Sequence, residues 1–137
     1  MIRILTLGDL EKINQFLLEL NSIPISKKDL ESNLHQYIGY EKDNQIIGFA
    51  CYSIYYDRAE IDYIYTINKY RNQNIGNELL DYIINLCKNK CYNITLEVGK
   101  SNYIAIKLYE KKGFKPVKII KNYYNNDDGI LMLKELD

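Results

Sequence analysis

The sequence predicts an α+β fold: one mixed, mostly antiparallel sheet of about seven strands flanked by about four helices. Three observations predict it. Between residues 37 and 68, three β-rich runs are separated by two tight-turn signals, Asp43-Asn44 and Asp57-Arg58, which read as an antiparallel meander. From 74 to 112 the pattern switches to helix, strand, helix, a crossover that implies a parallel strand pair. After 114, two further runs flank Asn125-Asn126-Asp127-Asp128-Gly129 and read as a closing hairpin. Residues 1–137 read as one domain, with no repeat, low-complexity tract or linker.

Taken in order, Ile2 to Leu7 reads as a short strand. Asp9 is placed to cap the helix after it, whose Leu10, Ile13, Phe16, Leu17 and Leu20 recur at helical spacing. Pro24 ends that region, and Ser26 starts a second helix with Leu30 and Leu34 on one face. Residues 37–42, 45–56 and 59–68 are the meander strands. Asn74 to Asn89 is helical, with a stripe of Ile75, Leu79, Leu80, Ile83, Ile84 and Leu86. Asn93 to Val98 is a strand, and Asn102 to Lys112 a helix capped by Ser101 or Asn102 and ended at Gly113. Phe114 to Tyr124 and Ile130 to Leu136 complete the sheet.

Bulk properties exclude several classes. Eighteen basic side chains balance 18 acidic ones, which argues against a large nucleic-acid footprint. The three cysteines, Cys51, Cys87 and Cys91, give no disulfide framework, and they read as buried or spare thiols of a reducing cytosol rather than as a metal site. The N-terminus lacks a signal-peptide hydrophobic region, and no apolar run approaches the ~20 residues that span a bilayer. A cytoplasmic protein is expected. His35 falls on an exposed helix face and is assigned no role.

Two segments carry chemistry. Tyr70-Arg71-Asn72-Gln73-Asn74-Ile75-Gly76 is a polar loop at the entrance of a strong helix. Unpaired N–H groups and the helix dipole make that entrance a phosphate cradle, with Gly76 allowing close backbone approach and Arg71 adding charge; a solvated turn is the plainer alternative. In the second segment, Ile94, Leu96 and Val98 share one face of a strand while Thr95 and Glu97 share the other. Tyr109 lies one turn after Ala105 in the next helix. Glu97 is a candidate base and Tyr109 a candidate acid. Their plainer readings are a solvated carboxylate and a core ring.

The run Arg71-Asn72-Gln73-Asn74-Ile75-Gly76-Asn77-Glu78-Leu79-Leu80 resembles the coenzyme A pyrophosphate loop of the GNAT superfamily of N-acetyltransferases. Leu96-Glu97-Val98-Gly99-Lys100-Ser101-Asn102 and the stretch from Ala105 to Phe114 resemble the corresponding stretch of bacterial ribosomal-protein-alanine N-acetyltransferases. Asn122-Tyr123-Tyr124 resembles the N-Y-Y run of that subfamily, and Ile130-Leu131-Met132 its last strand. The likeness keeps strand order over nearly the whole chain and is sharp from Ala59 onward.

This resemblance implies acetyl-CoA as cosubstrate and no metal. It implies Glu97 as general base, Tyr109 as general acid and Asn102 as a cofactor contact. The backbone of Ile64, Tyr65 and Thr66 matches the strand that pairs with the pantetheine arm and the acetyl carbonyl. Arg71, Asn72, Gln73, Asn74, Ile75 and Gly76 match the pyrophosphate loop. Tyr123 and Tyr124 are candidates for lining a peptide groove, with core packing the equal alternative. Two departures stand out: Asn74 replaces the family's first glycine, and Thr66-Ile67-Asn68 replaces its V-x-P. Asparagine tolerates the left-handed backbone such a turn needs, at some strain.

The acceptor is read from its chemistry. An α-amine with pKa near 7.7–8.0 is roughly one-tenth neutral at pH 7, whereas a lysine near 10.4 is neutral about once in a few thousand molecules. One glutamate suffices for the first. The expected function is transfer of acetyl from acetyl-CoA to a protein N-terminus, a ribosomal protein's among them, without direct contact to nucleic acid or membrane. A small-molecule or lysine acceptor, and a coenzyme A-binding module without activity, are the alternatives.

Overall fold

The computed structural model describes residues 1–20, 22–124 and 126–136, excluding the side chains of Leu34 and Tyr124. It contains seven strands, β1 (Ile2–Ile4), β2 (Tyr37–Lys42), β3 (Gln45–Tyr55), β4 (Arg58–Thr66), β5 (Asn93–Gly99), β6 (Lys115–Tyr124) and β7 (Asp127–Glu135). Four α-helices, α1 (Leu10–Glu19), α2 (Lys27–Ser32), α3 (Ile75–Cys87) and α4 (Tyr103–Lys111), alternate with them as the sequence predicts. The strands form one sheet in the order β1-β2-β3-β4-β5-β7-β6. The β1–β2, β2–β3, β5–β7 and β6–β7 pairs are antiparallel and β4–β5 is parallel. The α+β class and the crossover between β4 and β5 are therefore as expected.

Local chemistry explains most boundaries. Asp43 and Asn44 both take positive φ, 51° and 62°, in the two-residue turn between β2 and β3. That is the mirror-image turn whose twist matches a hairpin. The next turn lies one residue earlier than the sequence suggests, because Tyr56, at φ 60°, takes the left-handed position and β4 already begins at Arg58. Ser26 caps α2 by accepting from the Asp29 N–H at 3.1 Å.

Asp9 departs from expectation. Its carboxylate does not cap α1. It accepts instead from the Thr6 N–H at 2.8 Å and pairs with the Arg3 guanidinium at 2.8 Å, within a single 3-10 turn over Leu7–Asp9. That turn shortens the first strand, which ends at Ile4. Similarly, the strand after the last turn begins at Asp127 rather than Ile130. The Leu34 side chain, expected beside Leu30, and Asn125 lie outside the described residues.

The chain divides into two compact units, 1–52 with 63–82, and 53–62 with 83–137. In the first, Leu5, Ile13, Phe16, Leu17, Ile46, Phe49 and Tyr65 form the core. Phe16 stacks on Phe49 at 5.9 Å and meets Tyr65 at 4.8 Å between ring centroids. In the second, Ala59, Ile61, Ile94, Leu96, Val98, Phe114 and Met132 are buried. Burying such side chains stabilises that unit by roughly 1.5–3 kcal/mol for each large one. All three cysteines are buried thiols outside any disulfide, and burial beside Cys91 pushes the Cys87 thiol up to about 12. No helix among the described residues is long and apolar enough to cross a membrane.

Candidate active site

In the first unit, the end of β4 runs into the loop that opens α3. Asn72 and Asn74 both hold positive φ, 67° and 70°. Asparagine is among the few side chains that visit this region at small cost, so the turn forms without the glycine the family resemblance would place at 74. The Asn74 carbonyl accepts from the Glu78 N–H at 3.1 Å, the first bond of the helix. The N–H groups of Ile75, Gly76 and Asn77 precede it and are the donors a helix entrance offers an anion. Residues 71–74 are exposed, while Ile75 is buried and anchors the entrance.

Arg71 does not extend over this loop. Its Nε donates to the Thr66 carbonyl at 3.0 Å, and its guanidinium lies 5.7 Å from the centroid of the Tyr65 ring. The Tyr65 hydroxyl donates to the Glu19 carboxylate at the end of α1. On the neighbouring strand, Gly48 of β3 allows close approach: a β-carbon there would sit 2.8 Å from the Tyr65 carbonyl oxygen. Ile64 and Thr66 are half-buried.

In the second unit, β5 alternates as read from the sequence, Ile94, Leu96 and Val98 being buried. Its parallel register with β4 runs from Arg58↔Asn93 to Glu60↔Thr95. On the other side Glu97 faces Leu131 and Gly99 faces Gly129 across β7. Paired residues project to the same sheet face, so Glu97, Thr95, Glu60 and Asp62 share one. Burial raises the Glu60 carboxyl above the ordinary range, and the nearby Asp62 and Glu97 charges add to this while Arg58 opposes it. Asp62 in turn accepts from the Ser53 hydroxyl at 2.7 Å.

Tyr123 belongs to the same face. A β-carbon on Gly129 would meet its side chain at 2.9 Å, so the ring lies over Gly129, the partner of Gly99 and two residues along β7 from the partner of Glu97. The side chain of Tyr124 lies outside the described residues.

Helix α4 is fixed at both ends. The Asn102 side-chain carbonyl accepts from the Ala105 N–H at 3.3 Å and caps it, which settles the choice between Ser101 and Asn102. Ser101 binds elsewhere: its N–H and hydroxyl donate to Asp127 at 3.0 and 2.7 Å, lowering that carboxyl. At the other end Gly113 takes φ 97°, its N–H donates to the Glu110 carbonyl, and the Phe114 N–H donates to that of Tyr109. This pair of bonds is a Schellman motif, normally closed by an apolar contact. Here the contact is between the Phe114 and Tyr109 rings, edge to face at 6.0 Å. The glycine read as a helix stop therefore also fixes Tyr109.

The structure thus puts Glu97 and Tyr123 on one face, and Asn102 and Tyr109 on one rigid helix. The sequence reading missed Glu60, Asp62 and Asp127. The first two carry a legible signal, since they alternate with the apolar Ala59 and Ile61 as Thr95 and Glu97 do with their neighbours. Asp127 gives none, because its partner is 26 residues away. No group of three or more metal-binding side chains is found among the described residues.

Comparison with known proteins finds relatives over most of the chain. A family model described as "Acetyltransferase (GNAT) family" matches residues 9–114. The chain is 38% identical over 106 residues to a putative ribosomal protein bS18-alanine N-acetyltransferase of Bacillus subtilis (strain 168), covering 75% of this chain and 70% of that protein. It is 33% identical over 113 residues to the ribosomal protein bS18-alanine N-acetyltransferase of Escherichia coli (strain K12), covering 80% and 76%. The crystal structure of the ribosomal-protein-S18-alanine N-acetyltransferase from Escherichia coli superimposes with a TM-score of 0.86 at 28% identity, covering 100% of this chain and 94% of that one.

Proposed function

Since the chain belongs to the GNAT acetyltransferase family and is an acetyl-CoA-dependent N-acetyltransferase, we propose that its acceptor is the N-terminal α-amine of a protein, a ribosomal protein first among them. The observation that supports this most is Glu97, half-buried on a sheet face beside Gly99, with the Tyr123 ring covering the paired Gly129. A carboxylate flanked by a glycine backbone and an aromatic ring suits a peptide terminus.

In this reading Glu97 takes the proton of the attacking ammonium, directly or through water. The amine adds to the thioester carbonyl, and backbone N–H donors of the segment 64–66 that point away from β3 stabilise the oxyanion, a contribution of about 3 kcal/mol for a single well-placed donor. Collapse breaks the carbon–sulfur bond, Tyr109 protonates the departing thiolate, and the second proton lost from the acceptor nitrogen passes through water to the Tyr109 phenolate, giving the neutral amide. The entrance of α3, residues 71–76, holds the diphosphate, and Asn102 contacts the cofactor. Holding both reactants in line supplies much of the acceleration. An acceptor made on ribosomes places the reaction in the cytoplasm.

Mass spectrometry of ribosomal protein N-termini from cells with and without this gene tests the proposal. One terminus losing its acetyl group in the deletion is the expected result; an unchanged set removes it. Glu60 and Asp62 beside Glu97 favour a second reading, a lysine or small-molecule amine acceptor. Assaying free amines against an alanine-starting peptide separates the two.

A further inference from the structure

Arg71 is the one cation the sequence offers to a diphosphate in this loop, yet its guanidinium is turned back onto β4. Nε donates to the Thr66 carbonyl at 3.0 Å, Nη1 approaches the Asn68 side chain at 3.4 Å, and the guanidinium lies over the Tyr65 ring. Tyr65 is itself immobilised. It is 5% exposed, packed on Phe16 and Phe49, and its hydroxyl is tied to Glu19. A planar fork over a buried ring, with one arm on a backbone carbonyl, is directed to the end of β4 rather than over the loop. Around it the backbone is closed by Ile67 N–H on the Ile47 carbonyl at 2.9 Å and Arg71 N–H on the Asn68 carbonyl at 3.2 Å.

We propose that Tyr65 and Arg71 form a clamp on the end of β4, anchored through Glu19 to α1, and that Arg71 is a positioning residue acting through the Thr66 carbonyl rather than a ligand of the diphosphate. The backbone it fixes, residues 64–66, is the segment assigned under the proposed function to the acetyl carbonyl, so the clamp sets the oxyanion donors and rests on that assignment. It makes a distinctive demand: loss of the clamp slows transfer from any thioester donor, with or without a diphosphate.

The test compares acetyl-CoA with S-acetylpantetheine, which lacks the nucleotide and its diphosphate, as donors to an alanine-starting hexapeptide. Arg71→Lys keeps the charge but loses the fork. It is expected to lower kcat about five- to tenfold with both donors, as loss of a charged hydrogen bond and a ring contact implies. Tyr65→Leu shows the same pattern. Tyr65→Phe, which keeps the core packing and the ring, gives about a twofold loss that Glu19→Gln reproduces. Hydrogen exchange at the amides of Ile67, Tyr70 and Arg71 is expected to speed up in the Lys variant.

Three results overturn the clamp. One is normal kcat in Arg71→Lys, with Arg71→Ala raising KM for acetyl-CoA alone. Another is a Tyr65→Leu protein that folds and turns over normally. The third is unchanged amide exchange. The assignment of residues 64–66 to the acetyl carbonyl fails separately, if Arg71→Lys speeds exchange at Ile67, Tyr70 and Arg71 while kcat stays normal with both donors. The diphosphate assignment has its own test. If Asn74→Pro, which cannot hold a φ of 70°, leaves acetyl-CoA affinity intact, the loop does not hold the diphosphate whatever Arg71 does.

Discussion

The ring of Tyr123 rests on Gly129, so closely that a β-carbon on the glycine would lie 2.9 Å from it. Gly129→Ala is therefore expected to cost about 1–3 kcal/mol, the usual penalty for overpacking. Adding Tyr123→Gly, which removes the β-carbon as well as the ring, should abolish the penalty of Gly129→Ala relative to Tyr123→Gly alone, because both contacting atoms are then gone. Urea melts of the two single variants and the double variant check this, and strict additivity would contradict it.

Glu97 is half-buried on the sheet face it shares with Thr95, Glu60 and Asp62. Glu97→Gln is expected to lower kcat at neutral pH by about a hundredfold or more, the scale of general-base catalysis. The Kd for acetyl-CoA should change less than about twofold, since the substitution is isosteric and acts after binding. Stopped-flow turnover with calorimetric titration measures both; equal turnover removes the base assignment.

Tyr109 is held by the α4 terminus through Gly113 and Phe114. Tyr109→Phe keeps the ring contact and should slow transfer about tenfold. Gly113→Ala forces a β-carbon onto φ 97° and should cost about 1–2 kcal/mol, lowering Tm. A Tyr109→Phe enzyme with full activity refutes the acid role.

Glu60 has its carboxyl raised by burial first and by Asp62 and Glu97 next. A raised carboxyl favours folding only while protonated; that contribution is lost as pH rises through its folded value. Glu60→Gln is therefore expected to raise Tm at pH 7, with the gain shrinking below about pH 4. Thermal melts at both values decide, and an equal gain at both would sink the electrostatic account.

Asp9 has the opposite sign. The Arg3 hydrogen bond lowers its carboxyl, with Thr6 assisting against the cost of burial. Its contribution is present above the ordinary Asp range and disappears as pH falls through the lowered value. Asp9→Asn should cost about 1–2 kcal/mol at pH 7, discounted for partial exposure, and nearly nothing well below that range. Denaturant midpoints across pH show whether the difference closes.

Strand and helix order was legible because apolar periodicity is local, and the turns at Asp43-Asn44 and Gly113 carry their own backbone preferences. The Asp9 bond to Arg3 was not legible. A capping residue looks the same in sequence whether its acceptor faces the next helix or a side chain behind it. The site divided in the same way. Glu97 and Asn102 are readable from alternation and capping, whereas the turn of Arg71 toward Tyr65 depends on a ring placed by α1 and β3, through contacts of long sequence separation.

Every transfer liberates a coenzyme thiol, so a chromogenic disulfide reagent can track the reaction continuously. Cys51, Cys87 and Cys91 are all shut inside the protein, with Cys87 held far from thiolate at working pH. Native enzyme should therefore be colourless in that assay until acetyl-CoA and acceptor are both present. Colour in the absence of either marks opened protein, giving each variant its own internal control for folding.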